Sequence, residues 1–197
     1  MQINDALNLV IPLRRDDNGE PTIYAYHTPV SKEVLDANYW VLAQTKAAIF
    51  AKGATFAADV GPRIAALKMR DEGKKYAAEN GMDGDSGVGA LLSDLRRLTM
   101  VLAPGANGWE NMPVDIAVQR GIIDQEDWSE AESGLAFFIA SWSMAKKADR
   151  KRMAEGLAGV LGASITSSTL MDFAASLSGS MQAAATAHSK AVSSHPS

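Results

Sequence analysis

The sequence predicts a mainly α-helical protein that opens with a β-hairpin and ends in a flexible, Ser/Ala-rich tail. Three observations carry that expectation. Apolar residues alternate with a period of two up to about residue 28 and follow a helical period from Ser31 onward. Between Asp124 and Lys147, the residues Trp128, Ala131, Leu135, Phe138, Trp142 and Ala145 recur at spacings of 3-4-3-4-3, the seam of a coiled-coil-like contact. After Phe173 only Lys190 is charged, and Ser and Ala dominate, a composition unable to form a core of its own. These place one helical domain over residues 1–178, with its hairpin at about 7–28, and a flexible tail over 179–197.

The hairpin comes first. Leu7, Leu9, Ile11 and Leu13 alternate with Asn8, Val10, Pro12 and Arg14, and Asp16-Asp17-Asn18-Gly19 supplies turn chemistry. Thr22 to Thr28 then form a run rich in β-branched and aromatic residues. Pro12 cannot donate to a ladder, so its strand is expected at an edge or beside a bulge. Ser31 reads as the N-cap of a first helix that ends near Gly53, with Glu33 in its first turn. A second helix is expected over about Phe56 to Asn80, bent or restarted at Gly61-Pro62 and solvated after Lys68. Residues 80–89 read as a flexible break.

A third helix follows, with Leu91, Leu92, Leu95, Leu98 and Leu102 as its stripe and Pro104 as its end. Pro104 to Gly108 read as a loop, and a short helix is expected from about Pro113 to Arg120. The helix from Asp124 to about Lys147 is expected at the centre of the core, acidic at its start and basic at its end. Shorter helices close the ordered part at about Arg150 to Leu161 and Ser168 to Leu177.

Composition narrows the function classes. The 197 residues fit one domain with a tail, and 47% hydrophobic against 21% charged residues is an ordinary globular balance. A net charge of -4 supplies no global field to draw the chain to nucleic acid or anionic lipid. Cys is absent, which excludes disulfides, thiolate nucleophiles and Cys-based zinc sites. No apolar run approaches the roughly 18 residues that span a bilayer, and no basic n-region precedes the first apolar stretch. A soluble, intracellular-type protein is expected.

Catalytic, cofactor and metal motifs are not found. His27, His188 and His195 lie at no ligand spacing to one another or to a carboxylate cluster, and neither the GxSxG elbow nor the phosphate loop GxxxxGK[ST] occurs. Gly84 to Gly89 before a helix is faintly similar to a phosphate turn, but Asp83 and Asp85 would repel an anion. As a calcium loop it fails at Gly87 and Val88, which stand where an oxygen ligand and a glycine are needed. Lys146, Lys147, Arg150, Lys151 and Arg152 form one basic cluster. Without interleaved aromatics, a solvated helix end explains it better than nucleic-acid contact.

The residues therefore argue against an enzyme and for a protein whose surfaces serve packing and recognition. The candidate partner-binding residues are Tyr39 and Trp40, which fall largely off the Val34/Leu42/Ile49 stripe, and Trp109. Trp109 either anchors its loop, the favoured reading, or presents itself to a partner.

The order of signals resembles the tail assembly chaperones of long-tailed bacteriophages. The stretches that carry it are Leu9 to Pro12, Tyr24 to Ser31, Gly61-Pro62-Arg63, Leu95 to Thr99, Gly108-Trp109-Glu110 with Pro113, Gly121 to Asp124 with Glu126-Asp127, and Ser168 to Leu177. The resemblance implies a non-enzymatic protein without cofactors or metal, acting in the host cytoplasm. Its partner would be the helical tape measure protein, with tail tube subunits as a second partner and self-association left open. It would keep the tape measure protein soluble while the tube polymerises around it. Two other readings stand beside it: a virion structural protein of the tail or neck, and a small helical regulator using the basic cluster on nucleic acid.

Overall fold

The structure, a computed structural model, describes residues 7–82, 87–106 and 108–178. Helices dominate, as the sequence predicts, but they are organised on a five-stranded antiparallel sheet of order β4-β3-β2-β1-β5. Strands β1 (Asn8–Arg15) and β2 (Pro21–His27) form the expected hairpin, with Leu9 facing His27 and Ile11 facing Ala25. Its turn is built by Asp16, whose carboxylate accepts from the amides of Asn18 and Glu20, each at 2.9 Å. Gly19 closes the turn at φ +82, a left-handed conformation that favours glycine.

Of the two expected settings for Pro12, an edge or a bulge, the structure shows the bulge, on an inner strand. β1 is flanked on both sides, by β2 and by β5 (Ser164–Thr166), but β5 pairs only with Asn8, Leu9 and Val10. Pro12 lies beyond that short partner, and the register slips between Pro12 and Arg14. The proline thus occupies the open half of an inner strand, beside a bulge.

The first predicted helix is broken in two, and the second restarts at Gly61-Pro62 as expected. α1 (Lys32–Ala37) and α2 (Tyr39–Phe50) meet at Asn38, while α3 (Ala54–Asp59) and α4 (Gly61–Glu79) meet at Val60. Pro62 opens α4, where its missing N–H costs no helical bond. α4 must also begin with a glycine. A Cβ on Gly61 would stand 2.8 Å from Phe137 Cε2 and 2.9 Å from Ile49 Cγ2, so the side chain is absent where three helices converge.

The third helix is shorter than its leucine stripe predicts. α5 (Val88–Arg97) stops before Thr99, and the chain continues as β3 (Thr99–Gly105) and β4 (Gly108–Pro113) where a helix end and a loop are expected. The reason is two-sided burial. Val101 and Ala103 face the helices, whereas Leu102 faces a second cluster behind the sheet. A strand covered on both faces is apolar at consecutive positions and shows no alternation.

α6 (Val114–Gln119) is the predicted short helix, and α7 (Gln125–Trp142) is the predicted core helix. Every residue from Ser133 to Ser141 in α7 is buried, against α2, α4, α5, α8 and β1. It ends at Trp142 rather than at Lys147. A 3-10 turn (Lys147–Asp149) leads into α8 (Arg150–Val160). Residues 170–178 form a last helix that lies on the opposite face of the sheet. There Leu170, Phe173 and Ala174 pack on Val10, Tyr24, Tyr26, Leu102 and Trp109. The Tyr26 hydroxyl donates to the Ser168 carbonyl at 2.6 Å, tying down the start of this helix. The result is three layers: helices, sheet, and a single covering helix. The predicted tail over 179–197 and the acidic positions Asp83 and Asp85 lie outside the described residues.

Candidate partner-binding surface

The break between α1 and α2 sets up the surface. Ser31 caps α1 by accepting from the Val34 amide, and the Asn38 side chain donates to the Val34 carbonyl at 2.9 Å, closing the helix at Ala37. The chain restarts at Tyr39 and buries Val41, Leu42, Thr45 and Ile49. Tyr39 and Trp40, at the first turn of α2, remain 55% and 53% exposed. Two adjacent aromatic side chains this open are uncommon on a chain whose other large rings are mostly packed.

Beside Tyr39 the C-terminal end of α7 comes to the surface. Trp142 stacks on Phe138 with ring centroids 6.3 Å apart, and the Arg150 guanidinium lies over the indole, 5.5 Å from its centroid. Between the two corners is a hollow of about 330 Å³, lined by Val30, Leu35, Tyr39, Trp142 and Ser143, with Lys32, Asp36 and Arg150 among its polar neighbours. Trp142 Nε1 and Ser143 Oγ are out of contact with solvent and have no hydrogen-bond partner among the described residues. Such groups carry the desolvation cost of buried, unpaired polar atoms.

Trp109 is not part of this corner. It stands on β4, half-buried on the outer sheet face, with its ring 5.5 Å from that of Tyr24. The structure thus brings Tyr39 and Trp40 together and sets Trp109 in the cluster beneath residues 170–178. Sequence reasoning missed Trp142 as a surface group and missed its contact with Arg150, which it placed in a solvated basic cluster. Trp142 falls on the apolar seam, and its proximity to Arg150 depends on the turn after α7, which no periodicity reveals.

A larger cleft of about 630 Å³ lies between β1, α3, α4, α7 and α8, with Asp59, Arg63 and Glu130 along it. Its other carboxylate, Asp127, is committed. It accepts from Arg14 at 2.6 and 3.0 Å and from the Asp124 amide at 2.8 Å, completing a capping box at the start of α7. That ion pair raises the Arg14 pKa above its ordinary value, chiefly through the hydrogen bond to Asp127. Among the described residues no group of His, Asp and Glu is placed to hold a metal ion. None of the described helices is long and apolar enough to cross a membrane. Comparison of the chain with protein-family models, with curated proteins and with solved structures finds no match in any of the three.

Proposed function

We propose that this chain is a tail assembly chaperone of a long-tailed bacteriophage. It binds the tape measure protein in the host cytoplasm and keeps it soluble while tail tube subunits polymerise. The carrying observation is the pair Tyr39 and Trp40, more than half exposed beside an apolar hollow. The sequence resemblance supplies the partner's identity. A tape measure protein displays long apolar helical stripes before assembly, and unshielded stripes aggregate. The α7 seam from Trp128 to Phe138 is consumed in the core, so shielding falls to the helix corner around Tyr39, Trp40 and the seam's end at Trp142.

The test is co-expression with the tape measure protein encoded nearby, followed by affinity capture and light scattering. The reading requires a soluble complex and a tape measure protein that is insoluble alone. Recovery of this chain from purified particles in fixed copy number, with no such complex, would move it to the virion structural class.

A further inference from the structure

The chain is acidic overall, yet one corner carries uncompensated positive charge. Lys146, Lys147, Arg150 and Lys151 are exposed and form no ion pair among the described residues. Arg152 in the same run pairs with Asp149 at 2.8 Å, and across the hollow Lys32 pairs with Asp36. Arg150 is held by the indole of Trp142 and by the Ala145 carbonyl at 3.4 Å. Its charge therefore borders the apolar floor without an ion pair among the described residues, the one carboxylate of the lining, Asp36, being held by Lys32.

We infer that the hollow between Tyr39, Trp142 and Arg150 receives an acidic peptide segment of a protein partner. One aliphatic or aromatic side chain of the segment enters between Tyr39 and Trp142, and a flanking carboxylate pairs with Arg150. This rests on the protein-binding reading above and adds the chemistry of the bound segment. Apolar depth favours the anchor: Val30 and Leu35 lie behind the rings, and about 330 Å³ accommodates one large side chain with room around it. Arg150, the cation of the lining without an ion pair among the described residues, favours a carboxylate at the flank, because complementary charge sets register and on-rate. Single-stranded nucleic acid is the lesser fit. Its sites follow a backbone along a groove with successive stacking rings, whereas this is a pit with one ring on either side.

The experiment uses the full chain and three probes: acetyl-Asp-Glu-Leu-Phe-Glu-Asp-amide, the same peptide with Lys at every acidic position, and oligothymidylate. Nitrogen–proton correlation spectra report the Trp142 indole directly. The acidic peptide is expected to shift the Trp142 signal saturably. Arg150→Glu and Tyr39→Ala are each expected to weaken it about tenfold, with Arg150→Lys retaining most of the binding. All three substitutions fall on exposed side chains, and a cooperative melt verifies their fold.

Equal binding of the lysine peptide, tighter binding of oligothymidylate at the same signals, or indifference to Arg150→Glu would each overturn the inference. A tape measure complex that forms undiminished with Arg150→Glu and Tyr39→Ala would also overturn it while leaving the chaperone reading intact. Acidic-peptide binding at Trp142 without any tape measure complex would uphold the site and remove that partner.

Discussion

His27 and Thr99 face each other across the β2–β3 ladder, with His27 Nδ1 3.0 Å from Thr99 Oγ1. The Thr99 hydroxyl proton is already given to the Leu95 carbonyl at 2.7 Å, so Thr99 accepts and His27 Nδ1 carries the hydrogen. The other ring nitrogen, Nε2, has no partner among the described residues. Beside the ring is a void of about 20 Å³ walled by Leu9, Val30, Leu35 and Phe138. The imidazole is thereby neutral, its pKa lowered to about 4 by burial, with the Leu95 carbonyl opposing the shift.

Acid sensitivity is the consequence. The unfolded chain binds a proton at His27 near pH 6.5 and the folded chain only near pH 4, so the unfolded state holds more protons in between. Stability attributable to His27 is complete above 6.5, declines as pH falls, and is lost below about 4. The loss is about 3 kcal/mol at most. Urea midpoints across this window should show a steeper fall for the wild type than for His27→Leu. Parallel profiles would mean that other groups account for the acid response.

Gly61→Ala should destabilise the chain by about 1–3 kcal/mol, through overpacking against Phe137 and Ile49. In an open helix the same change would stabilise, because alanine is the better helix former. Chemical denaturation separates the two signs. Gly156 in α8, where a Cβ would meet nothing within 4 Å, is the internal control and should gain stability on change to alanine.

Asp127 joins two structures, the start of α7 and the bulged end of β1. Asp127→Ala removes the close Arg14 pair and the reciprocal half of the capping box, while Asp124 still caps through the backbone amide of residue 127, and should cost about 2 kcal/mol. Arg14→Ala breaks only the ion pairs with Asp127 and Asp124, on a side chain 40% exposed, and should cost about 1 kcal/mol or less. A double-mutant cycle read by urea unfolding gives the coupling. Equal single losses would show that the capping interaction contributes nothing.

The last helix is predicted to be structural, and residues 179–197 dispensable for folding. A chain ending at Gly179 should keep a cooperative thermal melt. Ending it after Thr166 removes Leu170, Phe173 and Ala174 and uncovers Tyr24, Tyr26 and Trp109. Phe173→Ala, between two tyrosine rings at 5.9 and 6.0 Å, should cost about 2 kcal/mol, less than a fully buried phenylalanine. A full-strength melt from the shorter chain would show that the outer layer is optional.

How much was legible in the sequence differs by element. The first hairpin, the short helix over 114–119 and α7 were visible because alternation, a cap and a seam are local patterns. β3 was hidden by its apolar character on both faces, so Leu98 and Leu102 read as a continuation of the Leu91/Leu95 stripe, and β4, mostly exposed, shows no alternation. β5 is three residues long and has no pattern to detect. Of the candidate site, the exposure of Tyr39 and Trp40 was foreshadowed by their place off the helical stripe. The partnership of Tyr39 with Trp142 and Arg150 was not.

Local sequence thus settled the helical character, the absence of cysteine chemistry, the first turn and the capped start of α7. Each depends on residues within a few positions of one another, where propensity and capping act. The tertiary structure alone decided that a five-stranded sheet separates two cores and that β1 is an inner strand. It also decided that an aromatic–cationic hollow forms where α2 meets the end of α7. Those features join residues about a hundred positions apart, and long-range packing, which selects among locally acceptable conformations, is what brings them together.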